Sequence, residues 1–285
     1  MTELLDELGH FLLCNGPNNA PDGQCYNHLM QGIAPRVVVF DLDGTLAESK
    51  QRMTGQMGEL LGQLLEKVPV AVMSGGSWAQ FQQQFLIDFP VDTKFDRLYL
   101  FPDNAAMCLV HRNDEWHPQY DNSFDAETKQ HILDALRDSM SEVHFEQPPQ
   151  LWGEQIEDRG AEITFSALGQ HAPLEEKQKW DPTREKRKPL FEALKRRLPD
   201  LSIGLNATTS IDITPHGVNK AYGITRLAEL TKVPINQMLY VGDALEEGGN
   251  DSVVIATGVP THAVLGPTET ATLIKGLLET RDAVA

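Results

Sequence analysis

The hydrophobic pattern changes character twice along the chain. Val37–Phe40 is an unbroken run of β-branched and aromatic residues, as expected of a strand covered on both faces. Residues 54–67 (TGQMGELLGQLLEK) carry apolar positions at helical spacing, Val68–Met73 is a second apolar strand, a helix follows from Ser77, and Leu98–Phe101 supplies a third strand. Such alternation predicts a parallel sheet with helices on both sides. From about 112 to 215 the apolar runs shorten and alternate (GAEITFSAL, LSIGLNATTSIDIT), with helical stretches near 125–140 and 181–198. In the second stretch Asp181 is placed as the cap, Pro182 at the first helical position, and KPLFEALKRR carries the apolar stripe. After Lys220 the first texture returns: a helix at 220–231, strands at Met238–Val241, Val253–Ala256 and His262–Leu265, and a helix at 268–279. The expectation is an α/β core of residues 36–111 and 216–285, interrupted by an α+β unit at 112–215. Residues 1–35, with an amphipathic Leu4–Leu13 and the turn-rich NGPNNAPDGQ, read as an N-terminal extension.

Composition narrows the partners. Of 285 residues, 24 are Lys or Arg and 41 Asp or Glu, a net charge of −17. Such a chain repels phosphate backbones and anionic bilayers at long range, so nucleic acid and membrane surfaces are excluded as expected partners. A phosphorylated small molecule must then be held by a local cluster of cations or by a metal. No run of about 18 apolar residues is present to span a bilayer. MTELLDELGHFLLCNG has acids where a signal peptide needs bases, and Cys14, Cys25 and Cys108 share no metal or disulfide spacing. The expected address is the cytoplasm.

Four features on the core segments carry chemistry. In VVVFDLDGTL, Asp41 and Asp43 stand just past the end of a buried strand, where open α/β sheets bind ligands. A carboxylate can attack phosphorus and form an acyl phosphate. Its neighbour can donate a proton to the leaving oxygen and later take one back. Two anions facing a phosphate call for a divalent cation, Mg²⁺ being the expected one. In VMSGGS, Ser74 and the amides of Gly75 and Gly76 can cradle phosphoryl oxygens ahead of a helix N-terminus. Lys220 opens a helix and offers a point charge to nucleophile and phosphate together. In VGDALEEGGND, Asp243 ends a strand as a hard oxygen ligand, with Asn250 and Asp251 placed to support it. An EF-hand does not account for the first motif, because Gly44 is fourth in it rather than sixth and the motif follows a buried strand.

The ordered set resembles the haloacid dehalogenase (HAD) superfamily of phosphotransferases. That resemblance implies a Rossmann-like core with an inserted type IIB α+β cap, Asp41 as nucleophile and Asp43 as acid/base. It further implies Mg²⁺ held by Asp41, Asp43 and Asp243, with Ser74 and Lys220 on the phosphate. FDLDGTLAESKQ, SGGSWAQFQQQF, FPDNAA, IEDRGAEITFSALGQ, SIDITPHGVNK and EEGGND are similar to successive blocks of the eukaryotic-type phosphomannomutases across roughly 36–275. By that likeness Arg159, Ser210 and Asp212 fall on cap positions that bind the distal sugar phosphate, and a homodimer formed through the cap is an analogy.

The chain departs from the mutases at Gln170, near Trp152 and at Lys50, where that family carries arginines. Losing a charge-assisted contact removes about 1.5–3 kcal/mol, and a mutase must grip both ends of a bisphosphate. The expectation drawn is therefore a Mg²⁺-dependent phosphatase acting on a small phosphate monoester, a sugar phosphate foremost. The alternative is a phosphomannomutase interconverting mannose 1-phosphate and mannose 6-phosphate. Trp152 reads as packing in preference to sugar stacking, Arg159 as either a substrate contact or a partner of Glu157, and the charge run Arg184–Lys188 as a solvated helix face.

Overall fold

The computed structural model describes residues 34–205 and 208–282, so the extension at 1–33, with Cys14 and Cys25, lies outside the described residues. The apolar run of the first motif becomes β1 (Val37–Asp41), every residue of which is buried. β2 (Val70–Met73), β3 (Leu98–Phe101), β10 (Met238–Gly242) and β11 (Thr261–Ala263) lie parallel to it in the order β11-β10-β1-β2-β3. All these strands point their C-terminal ends toward one edge of the sheet, so Asp41, Ser74 and Asp243 arrive there together.

Helices cover both faces, as the continuous apolar strands require. Val37, Val39, Ala71, Met73, Met238 and Tyr240 form one cluster with Ile224 and Leu227 of α5 (Lys220–Thr231). α1 (Gly55–Lys67) packs against α6 (Pro267–Asp282), and its Leu61 and Leu64 are fully buried along with Ile274 and Leu277. Thr54 caps α1 by accepting from the Met57 amide, the role of a β-hydroxyl at a helix start.

The seven-stranded sheet is completed by β4 (Met107–Arg112) and β5 (Glu115–Asp121), both antiparallel. Glu115–Asp121, expected in the inserted unit, thus pairs in the large sheet, because a two-residue turn at Asn113-Asp114 folds it straight back onto β4. A second sheet is antiparallel, in the order β6-β7-β9-β8, from β6 (Ile156–Asp158), β7 (Ile163–Ser166), β8 (Leu201–Gly204) and β9 (Ser210–Pro215). Between β7 and β8 the chain forms α3 (Leu174–Trp180) and α4 (Lys188–Arg197). The apolar face of the second sheet, Ile163, Phe165, Ile211 and Ile213, closes against Ile132 and Leu136 of α2 (Ala126–Glu142) and Leu190 and Leu194 of α4.

Two local expectations are corrected. Val253–Ala256 lies in a 3₁₀ helix, Ser252–Thr257, in which Val254 is the buried residue while Val253 and Ile255 are exposed. A four-residue apolar run cannot by itself separate strand from helix. The helix expected from Asp181 begins instead at Lys188. The Asp181 carboxylate accepts from the Lys186 and Arg187 amides and from Arg187 Nε at 2.8 Å, winding 181–187 around itself. Arg187 is therefore completely buried, and the charge run that contains it is not a uniformly solvated face.

Candidate active site

The site assembles where three strand ends and one helix start converge. Asp41, the last residue of β1, is 2% exposed. Its Oδ1 accepts from Lys220 Nζ at 2.5 Å, while Oδ2 has no hydrogen-bond partner among the described residues. Lys220 is the first residue of α5, whose start is capped by the Asn219 side chain accepting from Tyr222 N. The same ammonium donates to Asp251 Oδ1 at 2.6 Å, and that oxygen also accepts from Tyr240 Oη at 2.6 Å.

Electrostatics follow from the burial of these charges. Burial pushes the Asp41 carboxyl up to about 7, with Lys220 pulling it down and Asp251 and Asp243 pushing it further up. Burial works to lower the Lys220 ammonium, yet the Asp41 and Asp251 carboxylates outweigh it and hold Lys220 above its ordinary value. Asp243, just past β10, is raised by partial burial and by Asp251. Its carboxylate reaches this place because residue 44 is glycine: a Cβ there would come within 2.3 Å of Asp243 Oδ2, and Gly44 has a φ of +81°. Thr45 Oγ1 donates to Asp243 Oδ1 at 3.4 Å.

Carboxylate oxygens of Asp41, Asp243 and Asp251 all lie within 4.8 Å of one another. Hard oxygen donors at this spacing suit a divalent cation. Asp43 stands outside this trio. Its Oδ1 accepts from the Lys50 amide at 2.7 Å and from Gln84 Nε2 at 3.0 Å. Asp251, expected only as support, is fully buried within the network, whereas Asn250 lines the cavity described next.

A cavity of 680 Å³ opens over these groups, lined on the large-sheet side by Asp41, Asp43, Ser74, Gly75 and Gly76 and on the small-sheet side by Glu157 and Arg159. Ser74 Oγ accepts from the Gly76 amide at 3.0 Å, holding the glycine turn in shape and engaging that amide. Arg159 both faces the cavity and pairs locally, donating to Glu157 at 2.7 Å and to Glu162 at 2.9 Å. Ser210 and Asp212 on β9 do not line the cavity. The Ser210 carbonyl accepts from Arg187 Nη1 at 2.6 Å, and Asp212 adds its charge to those around Arg159 and Glu162. Gln170 and Trp152 also lie outside the lining, and Gln170 O accepts from Lys177 Nζ.

Sequence reasoning missed Gln80, Gln84, Glu162 and Asp103. Neutral amides carry no signature in a motif, and Asp103 becomes notable only through burial, which with Glu162 pushes its carboxyl up to about 7 against the pull of Arg159.

A family model described as "Eukaryotic phosphomannomutase" matches residues 57–280. The chain belongs to the eukaryotic phosphomannomutase family. Relatives include a probable phosphomannomutase of Caenorhabditis elegans, 28% identical over 86% of this chain and 96% of its own length. The phosphomannomutase of Encephalitozoon cuniculi is 27% identical over 75% and 82%, and phosphomannomutase 1 of Homo sapiens 25% identical over 81% and 88%. Among solved structures, the trehalose-6-phosphate phosphatase of Aspergillus fumigatus shares the fold at TM-score 0.59 and 18% identity, covering 92% of this chain and 99% of that one. The IMP-nucleotidase of Plasmodium falciparum does so at TM-score 0.58 and 16% identity, covering 88% and 69%. The phosphomannomutase family fixes the superfamily as HAD and the chain as a sugar-phosphate enzyme. Among the described residues no helix is long and apolar enough to cross a membrane.

Proposed function

We propose that the chain is a phosphomutase on hexose phosphates, interconverting mannose 1-phosphate and mannose 6-phosphate through a phosphoaspartate at Asp41. The carrying observation is the two-ended cavity: Asp41 and Asp43 lie on one wall, and the Arg159 cation lies on the wall contributed by the second sheet. A sugar bisphosphate gripped at both ends could present either phosphoryl group to Asp41. The names borne by the relatives favour this reading over hydrolysis, reversing the tilt drawn from Gln170, Trp152 and Lys50, of which Lys50 alone is on the cavity wall.

In the step so proposed, Asp41 Oδ2 bonds to phosphorus as the bond from phosphorus to the sugar oxygen breaks. Asp43 gives its proton to that departing oxygen. Lys220 keeps Asp41 Oδ1 fixed, so the free oxygen is the attacking one. In the return step Asp43 removes the proton from a sugar hydroxyl, which attacks the phosphoaspartate and releases the Asp41 carboxylate. The Ser74 hydroxyl and the Gly75 amide, on the turn that Ser74 holds in shape, receive the phosphoryl oxygens. Asp41 and Asp243, with Asp251 behind them, are the residues that would hold Mg²⁺. When bound, that ion would offset the repulsion between carboxylates and phosphoryl group.

A second reading, hydrolysis with water in place of the sugar hydroxyl, has one observation in its favour. Arg159 is already shared between Glu157 and Glu162, so the distal grip is partly neutralised. Incubation of mannose 1-phosphate with Mg²⁺, with and without a hexose 1,6-bisphosphate, decides between them. Mannose 6-phosphate formation that depends on bisphosphate is the result expected. Release of inorganic phosphate in its place would establish hydrolysis, and turnover by Asp41→Asn would overturn both.

A further inference from the structure

Asp43 is held by a residue whose amide carries no motif chemistry. Gln84 Nε2 donates to Asp43 Oδ1 at 3.0 Å, across 41 positions of chain, and the Gln84 carbonyl accepts from the Met53 amide at 2.8 Å. One residue thus fastens both the carboxylate and the far end of the loop that follows it. Gln84 is in turn oriented by Gln80, whose Nε2 donates to Gln84 Oε1 at 2.7 Å. Gln80 lies over the phosphate turn: a Cβ on Gly76 would come within 2.4 Å of Gln80 Oε1.

The backbone makes this possible through an unusual turn. After the short helix Trp78–Gln80, the chain widens into a π-helical turn at Phe81–Phe85, where the Leu86 amide bonds to the Phe81 carbonyl. Phe81 and Phe85 are both fully buried, and Gln84 is 5% exposed. The extra residue in the turn lets two aromatic anchors and a carboxamide enter the interior together. Such turns recur at functional sites. A primary amide so deeply buried would be an expensive way to fill a core without a partner, and its partners here are Gln80 and the acid/base Asp43.

We infer that Gln84, oriented by Gln80, is a positioning residue for the proton transfer by Asp43. With the Lys50 amide it occupies Asp43 Oδ1 and leaves Oδ2 for the leaving oxygen. The inference rests on the phosphoaspartate reading proposed above, and its test separates the two.

The test uses Gln84→Leu and Gln80→Leu in the full chain, with Gln84→Glu and thermal unfolding as checks on folding. A misplaced acid matters when the leaving group needs a proton and matters little when it does not. The kcat on an alkyl or sugar phosphate should fall roughly 10- to 100-fold in Gln84→Leu, with KM within about twofold. The kcat on p-nitrophenyl phosphate, whose leaving group departs without protonation, should fall less than about threefold. Gln80→Leu should show the same pattern more weakly. An equal fall on both ester types, or none on either, overturns the role. Independently of turnover, the Gln84 side-chain amide should give a distinct, slowly exchanging NMR pair that moves in Asp43→Ala. An unmoved pair overturns the contact itself. If that pair moves while wild-type protein forms no phosphoaspartate from any ester, the phosphoaspartate reading fails, and the positioning role is overturned with it.

Discussion

Lys220 Nζ lies 2.5 Å from Asp41 Oδ1, and the two side chains are 1% and 3% exposed. The same ammonium is the counter-charge of Asp251, 2.6 Å away and 0% exposed. Removing one partner of a buried ion pair costs about 3–5 kcal/mol, because the remaining charge is left desolvated. Lys220→Met should therefore lower stability by about that amount and shift the thermal midpoint by roughly 10 °C. Asp41→Asn keeps the Lys220–Asp251 pair and removes a carboxylate that burial already disfavours, so it should unfold at or above the wild-type temperature while losing turnover altogether. Differential scanning calorimetry of the two variants checks both. A wild-type midpoint for Lys220→Met would show that the ammonium is dispensable to the fold.

These charges are largely legible in the amino-acid sequence, and the reason is local. Asp41, Ser74 and Asp243 each follow a short apolar run, and a run buried on both faces is a strong strand signal whose end fixes where the next residue stands. Lys220 is marked by its place at a helix start. What the sequence hides depends on tertiary neighbours. The Asp181 carboxylate has the position of a helix cap but accepts from the Lys186 and Arg187 amides and from Arg187 Nε, partners that depend on how 181–187 winds in the folded unit. Gln170 stands out by sequence position, yet which side chains face a cavity is set by how two sheets meet. Asp251 reads only as support, yet its carboxylate closes a trio with Asp41 and Asp243. The 3₁₀ helix at Ser252–Thr257 is hidden for a simpler reason, a run too short to show its period.

Gly44→Ala tests whether Asp243 must approach as closely as it does. The new Cβ would meet Asp243 Oδ2 at 2.3 Å, and the backbone φ of +81° is one that alanine adopts only under strain. The carboxylate is flexible enough to move aside, so the fold should survive at a cost of about 1–2 kcal/mol. The displaced Asp243 can no longer share an ion with Asp41. The Mg²⁺ concentration for half-maximal turnover should rise about tenfold or more, and chelation by EDTA should abolish wild-type turnover. An unchanged Mg²⁺ dependence in Gly44→Ala would remove Asp243 from the metal site.

Asp103 gives the clearest pH dependence of stability. Burial is the main cause of its rise from 3.8 to about 7, Glu162 and Asp121 add to it, and Arg159 opposes it. Below 3.8 both folded and unfolded chains hold the proton, so there is no penalty. As pH climbs toward 7 the unfolded chain ionises first, and the folded state loses up to about 1.4 kcal/mol per pH unit. Above 7 the loss is complete and constant. Asp103→Asn removes the titration, so its stability advantage over wild type should widen between about pH 5 and 7 and level off by about pH 8. Urea unfolding across this pH range measures the gap. A gap independent of pH would mean that Asp103 ionises normally.

Arg159 separates the two proposed reactions. Its guanidinium is the cavity-lining cation on the side of the second sheet, and burial, which lowers its proton affinity, is overcome by Glu157, Glu162 and Asp212. If it grips a distal phosphate, Arg159→Gln loses a charge-assisted contact of about 1.5–3 kcal/mol, or roughly 10- to 150-fold. That loss should fall on KM for the sugar phosphate and on bisphosphate activation. Turnover of p-nitrophenyl phosphate, which has no second phosphate, should stay within about threefold of wild type. If instead Arg159 serves only to neutralise Glu157 and Glu162, the variant leaves two cavity-side carboxylates without a counter-charge. Both substrates should then suffer alike, and stability should fall by about 1–3 kcal/mol. Steady-state kinetics on the two esters, read beside a thermal melt, distinguish these outcomes, and an equal loss on both would argue against a bisphosphate held at two ends.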